Sequence, residues 1–241
     1  MDLSFGEYLY SEMKISNYTI IIIVVCQALA IITNLKYWQK DKSHILILVY
    51  TLFGFFLFTL GQYLTYKLKQ SNINTTNLNE SLNCLYAATE FLVFAHVLNK
   101  ETNSSNATKI THIFKIFIFI ITPLYLILIN INIFGNSPKR YLADSLSFVE
   151  ISFIGILILL YFINLFKSSP NIDLKKSPIF WLCSFSILYT ISLPVSILLL
   201  EYFRHENRVI FRLIISLHYL SLSIVYLGII KFIICRKAHI S

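Results

Sequence analysis

The chain is predicted to be an all-α polytopic membrane protein, a single bundle of seven transmembrane helices with its amino terminus outside and its carboxy terminus in the cytoplasm. Three observations predict this fold class. Apolar residues make up 56% of the 241 residues and charged residues only 13%, whereas soluble domains carry about 25% charged residues. The apolar residues fall into seven blocks, each long enough to cross about 30 Å of hydrocarbon at about 1.5 Å per residue. Lys and Arg collect in the connections between blocks. One bundle uses nearly the whole chain, so residues 1–241 are expected to form one seven-transmembrane-helix domain.

The first helix is expected near 18–36. It follows a segment with Asp2, Glu7 and Glu12 against a single Lys14, the wrong charge for a cleavable signal peptide, so it should remain as a membrane helix. The second is expected near 44–66 and the third, with Glu90 near its middle, near 80–98. The fourth, near 112–134, and the sixth, near 178–202, contain Pro123 and Pro194, each of which removes a backbone hydrogen bond and should kink its helix. The fifth is expected near 143–166 and the seventh near 210–234. Gly135-Asn-Ser-Pro138 and Ser168-Ser-Pro-Asn171 mark connections, and Ser71 to Asn79 reads as a surface loop without a site.

Orientation follows from the basic residues. The amino-terminal segment and the second, fourth and sixth connections hold eight Lys and Arg, whereas the first, third and fifth connections and the carboxy-terminal stretch hold twelve. The richer side is expected in the cytoplasm. The net charge of +8 is thus spread along membrane flanks rather than gathered on one basic face, and no nucleic-acid partner is expected. Cys26, Cys84, Cys183 and Cys235 form no CxxC pair and fall in or at the ends of four different blocks. They read as small embedded residues rather than disulfide or metal partners.

The polar residues inside the blocks carry the functional reading. An ionised carboxylate at the centre of a bilayer costs roughly 2.5 kcal/mol or more, so it is normally protonated, paired or turned to a polar cavity. Asn83 and Tyr86 share the helix face of Glu90, at spacings of seven and four. In the fifth helix Ser147 lies one turn above Glu150. The sixth brings Tyr189 and Thr190 to mid-membrane, and the seventh carries His218 with Ser221 one turn below. These positions predict an outer-leaflet polar pocket in which Glu90, Glu150, Tyr189 and His218 bind a ligand or proton, supported by Tyr86, Asn83, Ser147, Thr190 and Ser221. The plain alternative is an interhelical hydrogen-bond cluster that only holds the bundle together. Without HExxH, or two His on one face, no metal site is expected. Ser221 and His218 share a face but lack GxSxG or a similar context, so no catalytic residue is assigned. The seventh block has no mid-helix lysine for retinal, and no cofactor is expected.

Leu85-Tyr-Ala-Ala-Thr-Glu-Phe-Leu92, Phe148-Val-Glu150, Ser177-Pro-Ile-Phe-Trp181 with Leu188-Tyr189, and Leu217-His-Tyr219 together resemble recurring segments of a family of uncharacterised bacterial seven-helix integral membrane proteins. That family is similar to the sensor modules of some bacterial signalling kinases. The resemblance implies a multi-pass protein of the bacterial cytoplasmic (inner) membrane, with polar residues at Glu90, Glu150, Tyr189 and His218. The chain ends at Arg236-Lys-Ala-His-Ile-Ser241 without an output domain, so a signalling role implies a separate membrane or cytoplasmic partner. The leading expectation is a receptor or sensor for a small ligand or proton. A proton-coupled small-molecule transporter is the first alternative, and an intramembrane hydrolase the second.

Overall fold

The computed structural model describes residues 14–38, 41–70, 76–102, 105–131, 136–168 and 174–238. Among them are seven α-helices: α1 Lys14–Lys36, α2 Lys42–Gln70, α3 Thr76–Thr102, α4 Ser105–Asn130, α5 Asn136–Ser168, α6 Pro178–Glu206 and α7 Arg208–Ala238. Each contains a span of 19 to 29 residues long and apolar enough to cross a membrane. In hydrocarbon the backbone must satisfy its own hydrogen bonds, and a run of Ile, Leu, Phe and Val can do so only as a helix or within a closed barrel. Pro123 and Pro194 lie within continuous helices.

Several helices extend beyond their apolar blocks because polar residues keep the helical backbone after the hydrophobic stretch ends. Helix α4 starts at Ser105 and ends at Asn130 rather than covering 112–134. Lys139 and Arg140, expected in a connection, lie in the first turns of α5. Glu201 to Glu206 complete α6, leaving Asn207 alone between α6 and α7. The Asn207 amide donates to the Phe203 carbonyl at 3.1 Å, while its side-chain Oδ1 accepts from the Val209 and Ile210 amides at 3.0 and 3.2 Å. One side chain therefore caps the start of α7 at the point where α6 stops. The acidic segment before residue 14 and positions 71–75, 132–135 and 169–173 lie outside the described residues. Thr76 to Asn79, expected as loop, form the first turn of α3.

Contacts join α1 to α2 and α7, α7 to α6, α6 to α5, α5 to α3 and α3 to α2. Helix α4 packs on α3 and α5 from outside this ring. Phe166, Leu198 and Phe119 are 79%, 67% and 66% exposed, an apolar exterior suited to lipid chains. Within the ring, Gly228 of α7 lets α6 approach: a Cβ there would stand 2.7 Å from Phe185 Cβ and 3.5 Å from the Trp181 carbonyl. Small residues at such crossings permit close backbone packing in membranes. All four cysteines are free and buried.

At one end of the bundle, called the mouth end below, the starts of α3 and α5 meet the end of α4: Lys139 donates to Asn77 at 2.7 Å and Asn130 to Ser81 at 3.1 Å. At the other end Asp41, between α1 and α2, takes ion pairs at 2.8 Å from Lys100 of α3 and from Arg236 of α7. Burial pushes the Asp41 carboxyl up, but the Lys100 hydrogen bond and the charges of Arg236 and Lys100 outweigh it and hold it below its ordinary value. A depressed carboxylate stabilises the fold above its unfolded pKa, near 4, and loses that contribution as pH falls through the folded value. Thermal unfolding in detergent between pH 6 and about pH 3 is therefore expected to show an acid-side loss that Asp41→Asn reduces. The effect should be modest, because partly exposed ion pairs contribute only about 1 kcal/mol or less. An unchanged acid slope in the variant would remove Asp41 from this role.

Candidate functional site

The Glu90 side chain is 1% exposed, deep among α2, α3, α6 and α7. Its Oε1 accepts from the Tyr50 hydroxyl at 2.5 Å and its Oε2 from the Tyr189 hydroxyl at 3.2 Å. Tyr50 and Tyr86 oxygens are 2.8 Å apart, and those of Tyr86 and Tyr226 3.0 Å. Gln27 Nε2 donates to the Tyr226 oxygen at 3.0 Å. A phenol has one proton to give. With the Tyr50 hydroxyl donating to Glu90, Tyr86 must donate to Tyr50 and Tyr226 to Tyr86. All the donors in the row thus point the same way, from Gln27 of α1 through three tyrosines to the Glu90 carboxyl. Such chains polarise one another.

This relay is locked by packing. The Tyr50 and Tyr226 rings stack with centroids 5.9 Å apart, and Tyr50 meets Phe94 edge-on at the same separation. Gly54 leaves room for the row to pass α2, since a Cβ there would lie 2.6 Å from the Tyr226 hydroxyl and 3.1 Å from Gln27 Nε2.

Glu90 and Tyr86 also line a cavity of about 490 Å³ that extends toward the mouth end. Its α3 wall runs from Asn79 to Glu90, a depth of about 16 Å at helical rise. Glu150 and Ser147 of α5, Tyr189 of α6 and His218 of α7 line it too, as does Asn83. Glu150 is 1% exposed, and neither carboxyl oxygen has a hydrogen-bond partner. It stands within electrostatic reach of Glu90. The His218 ring lies 5.8 Å from those of Tyr189 and Tyr219, and its buried Nδ1 is likewise unpartnered. Near the mouth, Arg140 Nε lies 3.5 Å from Glu80 Oε1, while Glu80 Oε2 accepts from Asn83 at 3.3 Å. Lys139, 4% exposed, donates to Asn77 at 2.7 Å. Beyond the floor, Ile47, Val93, Phe94, Val97, Leu182 and Ile229 close around Tyr50 without room for a water molecule.

Of the nine residues expected at the site, seven line this cavity: Glu90, Glu150, Tyr189, His218, Tyr86, Asn83 and Ser147. Thr190 and Ser221 do not. Thr190 bonds back to the Ile187 carbonyl and lies against Gly155, because it follows Tyr189 by a 100° turn of the helix and cannot share its face. The Ser221 hydroxyl donates to the His218 carbonyl and accepts from Ser192 at 2.6 Å, tying α6 to α7. The sequence reasoning missed Tyr50, Tyr226 and Gln27 in the relay, and Asn79, Glu80, Arg140 and Asp144 at the mouth. An amide in the centre of the first apolar block was the available signal for Gln27. Asn79, read as loop, is a wall residue because the helix starts earlier. Among the described residues no three His, Cys, Asp or Glu side chains are grouped to hold a metal ion.

The fold and site define a bundle of seven helices, each long and apolar enough to cross a membrane, with a cavity of mixed polar and apolar lining between them. No protein-family model, no curated protein and no solved structure matches the chain.

Proposed function

We propose that the protein is a seven-helix receptor or sensor of the bacterial cytoplasmic membrane. It binds a small ligand or proton in the cavity and signals through a separate partner. The amino terminus and the cavity mouth face outward, following the charge bias of the connections. The observation that carries this reading is the form of the cavity: polar and apolar side chains line it down to Glu90, and beyond that apolar side chains close around Tyr50. Among the described residues the space ends at this floor, the shape of a site that receives a ligand from one side. The floor residues are also the end of a relay spanning α1, α2, α3, α6 and α7. A group that takes the Tyr189 bond, or that changes the proton on Glu90, alters the relay at its end point. That is a differential contact through which binding can shift a helix arrangement.

The test uses a bimane fluorophore on Lys237→Cys, at the end opposite the mouth, in lipid nanodiscs. A metabolite panel is first screened for compounds that raise the thermal midpoint. Those compounds, or a pH step, are expected to change bimane emission, and Tyr50→Phe, which removes the donor to Glu90, to reduce that change severalfold. Binding with no change of emission, or proteoliposome uptake of the bound compound, would overturn the sensor reading.

A further inference from the structure

We propose that the cavity takes an organic ammonium ion, with the Glu150 carboxylate as its counter-charge; the inference deepens the receptor reading and rests on its use of this cavity. Four carboxyl residues line the space, Glu80, Glu90, Asp144 and Glu150, against one guanidinium, Arg140. Arg140 faces Glu80 at the mouth, whereas the two glutamates at the depth of Tyr189 and His218, Glu90 and Glu150, take no ion pair among the described residues: Glu90 meets tyrosine hydroxyls and Glu150 no donor. Glu90 already accepts two tyrosine hydroxyls. Glu150 is different, since it is buried with neither oxygen hydrogen-bonded. A buried polar group normally has a partner, and a carboxyl on a cavity wall with two free acceptor oxygens matches a ligand that brings donors and positive charge.

The rest of the lining selects among cations. Phe58, Tyr86, Tyr189 and Tyr219 place aromatic rings around the same space, and aromatic faces attract ammonium groups. Leu57, Leu193 and Ile197 add apolar wall suited to the carbon part of an amine. Volume points the same way, because about 490 Å³ falls within the range of sites for small organic molecules and greatly exceeds a bare metal ion. His218, with its free Nδ1, can accept from an ammonium or from a hydroxyl carried beside it while neutral.

The probes are choline, putrescine and phenethylamine, with phenethyl alcohol and hydrocinnamate as the neutral and anionic counterparts of phenethylamine. Binding to the purified full chain in nanodiscs is read by calorimetry. At least one ammonium probe is expected to bind saturably, and the two counterparts to bind at least tenfold more weakly than phenethylamine or not at all. Glu150→Gln, which keeps size and removes the charge, is expected to weaken the ammonium probe by about 30-fold or more, while Glu150→Asp retains part of the affinity. Failure of all three ammonium probes, equal binding of the counterparts, or full affinity in Glu150→Gln would overturn the proposal. The charge comparison is made on the unaltered protein, so it decides even where a variant folds poorly. A bimane response to hydrocinnamate alone would overturn the ammonium ligand and leave the sensor standing. Ammonium binding without a bimane response would do the reverse.

Discussion

Gly228→Ala is expected to lower the thermal unfolding midpoint in detergent by about 5 °C, and Gly228→Val by roughly 10 °C. The added Cβ meets Phe185 Cβ at 2.7 Å, an atom one bond from the α6 backbone, so relief requires the helices to separate rather than a side chain to swing. Overpacking of this kind costs about 1–3 kcal/mol, more than the gain of roughly 0.5–1 kcal/mol from replacing a helical glycine by alanine. Gly61→Ala supplies the control, because its Cβ meets only Leu82 Cδ1 at 3.8 Å. There the backbone gain is unopposed, and the midpoint should hold or rise slightly. Equal shifts for the two alanine variants would mean that the α6–α7 crossing is not held at this distance.

Glu90→Leu is expected to destabilise the protein by about 1–3 kcal/mol and to abolish the bimane response, with Glu90→Gln much closer to wild type in stability. Leucine fills the space but accepts no hydrogen bond. It strands the Tyr189 hydroxyl, leaves the Tyr50 proton without its acceptor, and reverses or breaks the order of donors back to Gln27. Glutamine keeps a carbonyl oxygen for one of the two. Interhelical hydrogen bonds in membranes average only about 0.6 kcal/mol, so the larger loss comes from donors left buried without an acceptor. Chemical unfolding of the three proteins in mixed micelles separates the cases. Equal stability of the Leu and Gln variants would mean that the tyrosine row does not depend on its carboxyl end.

The seven helices were legible because the bilayer allows apolar runs of this length so few structures. Depth along a helix was legible for the same reason, and it is depth that brought Glu90, Glu150, Tyr189 and His218 into one expectation. Rotation about the helix axis was harder to read. Helices so rich in Ile, Leu and Phe have no sharp polar stripe to show which face turns inward, so Tyr50 and Tyr226 looked like any membrane tyrosine. The mouth was hidden by its charges: Arg140 was assigned to a connection, while Glu80 and Asp144 stood at the very starts of expected helices, where a charge reads as a headgroup contact. In the structure, α3 and α5 carry them past the apolar limit as ordered walls. Thr190 shares the depth of Tyr189 but lies about 100° round the helix from it, so depth alone drew it into the expected site.

The one-residue step at Asn207 has a mechanical consequence. A connection with almost no slack cannot absorb displacement, so α6 and α7 transmit force to each other like two limbs of a stiff hairpin. The same pair is pinned further along by Ser192 on Ser221 and by the bare surface of Gly228. Tyr189 on one limb and Tyr226 on the other contact different parts of the relay. A tilt imposed on either limb therefore reaches Glu90 from one side and Tyr86 from the other at once, making the hairpin a lever with two points of purchase on one row of protons.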